Sequence, residues 1–194
     1  MLSCAARAPS GTNMQPWQTY VLTGKTRREL CDAVCAEFDN PTEEHGWQSE
    51  YYPSSWFEPY LQRRRDVGWQ LYGLLGIAKG DRAATHAQHR RNFQFFDAPV
   101  GLIFTIHKDL ATGSWLDYGM FMQNIMLLAR ENALHTCPQA AWCEYHKVIR
   151  RILPISEDEI IVSGMAVGKA DPAAIENTLV TDRASIEDSV RFFE

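Results

Sequence analysis

The stretch Val100-Gly101-Leu102-Ile103-Phe104-Thr105-Ile106 is apolar almost throughout, without alternation of polar and apolar side chains. A strand with one wet face alternates with a period of two, so a continuous run of this kind reads as a central strand covered on both faces. Covering both faces takes helices. Residues 117–132 offer one that is apolar almost all round, through Met120, Phe121, Ile125, Met126, Leu127, Leu128 and Ala129, and it belongs in the core or at an interface. Gln123 and Asn124 inside that helix then need polar partners.

Shorter signals fill in the rest. Residues 18–23 form a β-rich run closed by Gly24, and Thr26-Arg27-Arg28-Glu29 reads as a capping box opening a helix with Leu30, Ala33, Val34 and Phe38 inward. Residues 39–60 have no clean period but are rich in aromatics and prolines, which suits an ordered flap over a site. A helix over 62–79, ended by Gly80-Asp81, carries Val67, Leu71, Leu74, Leu75 and Ala78 at helical spacing. A helix over 145–153, a strand over 159–167 closed by Gly168, and a last helix over 185–193 complete the chain. Helices and strands alternate without repeats, so the class is α+β or α/β in one domain spanning residues 1–194.

Composition excludes several functions. A chain of 194 residues that is 45% hydrophobic supplies a sizeable core and rules out disorder. Its net charge of −5 argues against a nucleic-acid partner, and Arg63-Arg64-Arg65 and Arg90-Arg91 read as solvated faces. No apolar run approaches the roughly 20 residues that span a bilayer, and the opening residues lack the apolar stretch of a signal peptide, so a cytoplasmic protein with no membrane partner is expected. Cys4, Cys31, Cys35, Cys137 and Cys143 are odd in number without a Cys-x-x-Cys pair, which fits reduced thiols. His86 and His89 lie one helical turn apart but lack a third ligand nearby, so no metal site is expected. No serine elbow or catalytic-cysteine signature is present, and Gly73, Gly76 and Gly80 lack phosphate-loop spacing, reading instead as positions of close helix packing.

The segment Ala8-Pro9-Ser10-Gly11-Thr12-Asn13-Met14-Gln15-Pro16-Trp17 is the least generic, because its turn-forming residues leave backbone amides and short polar side chains free to meet a planar polar ligand. With Phe96-Asp97-Ala98-Pro99-Val100, Asp117-Tyr118-Gly119 followed by Gln123-Asn124, Thr136-Cys137-Pro138-Gln139-Ala140, Gly164 to Gly168, and Asp182-Arg183, it resembles the nitroreductase family of FMN-dependent oxidoreductases. These motifs stand in the family's order across nearly the whole chain.

The resemblance implies an α+β, three-layer sandwich with a central, mainly antiparallel sheet flanked by helices, assembled as an intertwined homodimer with flavins at the interface. It implies a flavoprotein that carries FMN, takes NADH or NADPH as co-substrate and passes hydride through flavin N5 to a nitroaromatic or quinone-like acceptor. Pro9, Ser10 and Asn13 would line the isoalloxazine ring with Gln15 close behind; side-chain amides both donate and accept along such an edge. Gln123 corresponds to a glutamine of the family's buried helix, the backbone of Pro138, Gln139 and Ala140 would approach the ring near N5, and Arg183 would grip the phosphate through its planar fork. No side chain is assigned as catalytic. The flap around Trp47 and Trp56 would set selectivity, and its Tyr51-Tyr52 and Arg63-Arg64 context resembles a branch associated with nitroaromatic acids.

One departure bears on the cofactor. The family pattern starts with a helix carrying an Arg-Arg-Ser-like grip on the flavin phosphate, whereas this sequence starts at the following helix, residues 2–8. A late-assigned start, a shortened chain or a diverged paralogue would each give this beginning, and the intact downstream motifs favour a truncated reading frame. Losing one charge-assisted phosphate contact costs about 1.5–3 kcal/mol, roughly ten- to a hundredfold in affinity. Two rival readings follow: a non-catalytic flavin-fold dimer, and a relative using flavin for another reaction such as reductive dehalogenation.

Overall fold

A computed structural model describes all residues, 1–194. The chain partitions into two compact units, one formed by Met1–Tyr52 with Arg82–Ala170, the other by Pro53–Asp81 with Asp171–Glu194. The expected flap is therefore shared, residues 39–52 belonging to the first unit and 53–60 to the second.

The first unit is built on a four-stranded sheet in the order β1-β2-β4-β3, where β1 is Gln18–Leu22, β2 Val100–His107, β3 His135–Gln139 and β4 Glu159–Gly168. Every pairing is antiparallel, and β2 lies inside the sheet. Its pleat divides the core. Ile103 faces one cluster with Leu30, Val34, Val148 and Ile149, while Leu102, Phe104 and Ile106 face another with Tyr118, Phe121 and Ile125. Helices α2 (Gly24–Asp39) and α6 (His146–Ile152) cover the first face; α1 (Leu2–Ala5) and α5 (Thr112–Glu131) cover the second. This is the expected α+β three-layer arrangement. Between them in sequence come α3 (Tyr60–Leu74) and α4 (Arg82–Arg90).

Helix α5 serves two environments. Tyr118, Phe121, Ile125 and Ala129 are buried, whereas Leu116 and Leu127 are 69% and 59% exposed. Asn124 finds a partner in the Ala5 carbonyl, 3.2 Å from Nδ2. Its start lies at Thr112, ahead of the expected 117, because Thr112-Gly113-Ser114 carries no apolar period.

Several local expectations are corrected. Helix α2 begins at Gly24 rather than in a capping box at Thr26, and Glu29 instead pairs with Lys25 at 3.3 Å. Helix α3 ends at Leu74 because Gly76 adopts φ +67°. Nothing lies within 4 Å of where a Cβ would stand on Gly73, Gly76 or Gly80, so these glycines do not serve close packing; two of them turn the chain. The expected final helix is a single turn, α7 (Ile186–Ser189), capped by Ser185 and Asp188. Strand β3 carries no clear strand signal in the sequence, and it lies at the sheet edge, the position that Pro138 suits.

In the second unit α3 buries no residue, and its arginines lie over aromatics, Arg64 at 4.9 Å from the Trp56 ring and Arg63 at 5.9 Å from Tyr60. In the first unit His86 and Arg90 both hold Asp39, at 2.9 and 2.8 Å, so this histidine has a structural partner. All five cysteines are free thiols, and burial pushes Cys31 up to about 11. No helix is long and apolar enough to cross a membrane.

An aromatic slab lies against two glycines of the sheet. Phe95 and Trp142 stack with centroids 4.3 Å apart and planes 23° apart. A Cβ on Gly101 would come 2.4 Å from Phe95, and one on Gly164 would come 2.1 Å from Trp142 Cδ1. We expect Gly164→Ala to destabilise the fold by about 1–3 kcal/mol in urea unfolding, the usual cost of overpacking. Gly113→Ala, in open space on α5, should be neutral or stabilising by up to about 1 kcal/mol.

Candidate active site

The polar loop before β1 is held in an unusual shape. Thr12, Asn13 and Gln15 have φ of 50°, 61° and 50°, left-handed values that cost a β-branched residue such as Thr12 most. The buried Asp117 on α5 accepts the Gly11 amide at 3.0 Å, the Ser10 hydroxyl oxygen accepts the Gln15 amide at 3.0 Å, and Gln15 Nε2 donates to the Asn13 carbonyl at 3.1 Å. Pro16 is buried and Trp17 stacks on Phe121 at 4.9 Å, anchoring the loop's far end. Pro9 is exposed, as is the Asn13 side chain, whose carboxamide is not tied up within the chain.

At the end of β3, Gln139 acts as a strut. Its side chain is buried, donating from Nε2 to the Asn92 carbonyl at 2.7 Å, with Oε1 3.5 Å from Trp142 Nε1. Only its main chain remains to meet a ligand. Its neighbours Pro138 and Ala140 open onto a cavity of about 860 Å³ in the first unit. Tyr51 and Tyr52 form one wall, Trp115, Tyr118 and Met122 of α5 another, and Ile160, Val162 and Ser163 of β4 a third. A cavity of this size, with aromatic and aliphatic walls and polar groups that include Glu50 and Lys108, suits small organic ligands. Tyr118 donates to the Gln18 carbonyl at 2.6 Å, and burial pushes its pKa far above the usual value.

The Tyr51-Tyr52 wall is approached through a tethered strap. Glu37 of α2 is buried and accepts hydrogen bonds from the Thr42 amide at 2.5 Å, the Thr42 hydroxyl at 2.9 Å, the Glu43 amide at 3.1 Å and His45 Nε2 at 2.9 Å. The Thr42 amide first and His45 second hold its pKa down at about 2. Beyond it, Trp47 Nε1 donates to Glu144 at 2.8 Å, and Gln48 Oε1 accepts the Ile161 amide at 3.1 Å.

The remaining expected site residues lie elsewhere. Gln123 is exposed on α5 and is not part of the cavity wall. Arg183 belongs to the second unit, where Nη1 contacts the Thr181 carbonyl and hydroxyl at 3.2 and 2.7 Å. Trp115 lies ahead of the helix start that the sequence pattern gives, Tyr118 falls within a family motif but carries no site role there, and a glutamate in a helix such as Glu37 carries no local signal of burial.

Within the first unit, Asn13 and Gln123 each present an exposed carboxamide, a group that both donates and accepts and so suits the polar edge of a planar ring. An α+β sandwich in which one helix, α5, anchors this loop and walls an aromatic cavity defines a class of proteins suited to small planar ligands. The comparisons narrow it: the Nitroreductase family model matches residues 1–169. A nitrobenzene nitroreductase of Ectopseudomonas oleovorans is 38% identical over 192 residues, covering 99% of this chain and 85% of that protein. A 4-nitrobenzoate reductase of Nocardioides sp. is 39% identical, covering 99% and 78%. The crystal structure of the FMN and NADPH-dependent nitroreductase NfnB from sphigopyxis sp. strain HMH superimposes with a TM-score of 0.95 at 36% identity, over 100% of this chain and 86% of that one. The chain belongs to the nitroreductase family.

Protonating Glu37 should release the strap. A carboxylate whose pKa falls from the usual 4.5 to about 2 on folding contributes stability that is present above 4.5 and lost as pH falls toward 2. We expect Trp47 emission to report strap loosening in that window, and Glu37→Gln to be loosened already at neutral pH, without that part of the acid transition.

Proposed function

We propose that the chain is a nitroreductase: an FMN-dependent oxidoreductase that uses NADH or NADPH to reduce nitroaromatic or quinone-like acceptors. FMN, when bound, would supply the redox chemistry that links the nicotinamide to the acceptor. The observation that carries the reading is the Ser10 to Gln15 loop, bent by left-handed Thr12, Asn13 and Gln15 with Asn13 presented outward.

Ser10, Asn13 and Gln15 would position the ring edge with Pro9 beside them, and Gln123 would add a second carboxamide. The main chain of Pro138, Gln139 and Ala140 would meet the ring's reactive side, and Arg183 would hold the phosphate. The cavity walled by Tyr51, Tyr52 and Trp115 would give an aromatic acceptor rings to pack against. No side chain of the chain is required as a nucleophile. We read residues 1–194 as one domain with the flap over 39–60, acting as a homodimer. The outward apolar row of Leu116, Met120 and Leu127 on α5 supports that assembly. Free thiols at all five cysteines support a reducing, cytoplasmic setting.

The test is visible spectroscopy of the purified chain with added FMN. Bound flavin should bleach under anaerobic NADPH or NADH and recover when nitrobenzene or 4-nitrobenzoate is added. No bound flavin at excess FMN would overturn the reading. Asn13→Ala should raise the FMN Kd about two- to tenfold, and Arg183→Lys about tenfold or more, reflecting a neutral against a charge-assisted contact.

A further inference from the structure

We infer that Glu37, on α2, is a positioning residue for acceptor binding, acting through the strap of residues 42–48 on the cavity wall at Tyr51 and Tyr52. The inference rests on the proposed use of that cavity for the acceptor. Four donors converge on the one buried carboxylate: the Thr42 amide and hydroxyl, the Glu43 amide and His45 Nε2. An ionised carboxylate offers only acceptors, so it satisfies all four; a carboxamide would turn an NH2 group against some of them.

The strap leaves this cage and is gripped again within a few residues. His45 packs on Tyr145 with centroids 4.6 Å apart, and Lys147 donates to the Glu44 carbonyl at 2.7 Å. Trp47 is held by Glu144 and Gln48 by the Ile161 amide of β4, next to the cavity residue Ile160. Trp47 then contacts Tyr51 and Tyr52, at 5.0 and 5.8 Å between centroids. The chain is thus pinned from Glu37 to the two tyrosines. Loosening the cage lets the wall drift while leaving both core clusters in place.

The experiment compares Glu37→Gln with Glu29→Gln, the same chemical change on the same helix at an exposed ion pair with Lys25. Hydrogen exchange of amides 42–50 and equilibrium dialysis of nitrobenzene are measured on the chain, followed by kinetics with FMN and NADPH. Glu37→Gln should speed exchange in 42–50 about tenfold or more and raise the nitrobenzene Kd about fivefold or more. KM for nitrobenzene should rise in step while kcat stays within about twofold, because the acceptor site is loosened without loss of reacting groups. Glu37→Asp should recover part of both effects, and Glu29→Gln should show neither. His45→Phe, which keeps the ring on Tyr145 but removes one donor, should act in the same direction and serves if Glu37→Gln fails to fold. Faster exchange with unchanged nitrobenzene binding would overturn the inference alone. Absence of nitrobenzene binding by the unaltered chain would overturn it together with the proposed function.

Discussion

The first unit depends on the contact between two aromatic rings and two glycines. Phe95 and Trp142 stack against β2 and β4 in space that any side chain at Gly101 or Gly164 would fill. To place its ring there the chain bends through three left-handed residues, Phe95, Phe96 and Asp97, an expensive conformation that the buried aromatic surface offsets. The slab then organises the site's edge: Trp142 lies beside Gln139, Gln139 reaches back to Asn92, and Pro138 and Ala140 are left at the cavity.

The opposite face of the sheet works through α5. Asp117 ties the polar loop to the helix through the Gly11 amide, while Tyr118 one residue on is buried at the cavity and bonded to Gln18 at the start of β1. One helix thereby positions the loop that presents Asn13 and one wall of the cavity. Its outward side keeps Leu116 and Leu127 in solvent, so the same element has apolar surface to offer a second chain.

Legibility in the sequence followed the range of the interactions. Strand β2 was readable because burial on both faces removes alternation locally, and the loop before β1 was readable because its turn residues are contiguous. Strand β3 was not, since His135-Thr136-Cys137-Pro138-Gln139 has little apolar character and pairs on one side only. Helix α5 was found but begun late, which hid Trp115. Glu37 was out of reach because its donors come from Thr42, Glu43 and His45 beyond the helix end, and nothing in the helical pattern marks it as buried. The family motifs gave candidate site residues, but the structural role of the Gln139 side chain emerges only from its contacts.

The most direct measurement is a crystal structure of the chain grown with FMN. The account expects the isoalloxazine ring against the main chain of Pro138 to Ala140, with the Asn13 carboxamide on its edge and Tyr51, Tyr52 and Trp115 around the space beside it. A ring bound away from both the loop and the end of β3, or a cavity of unchanged outline with no flavin at saturating FMN, would contradict it.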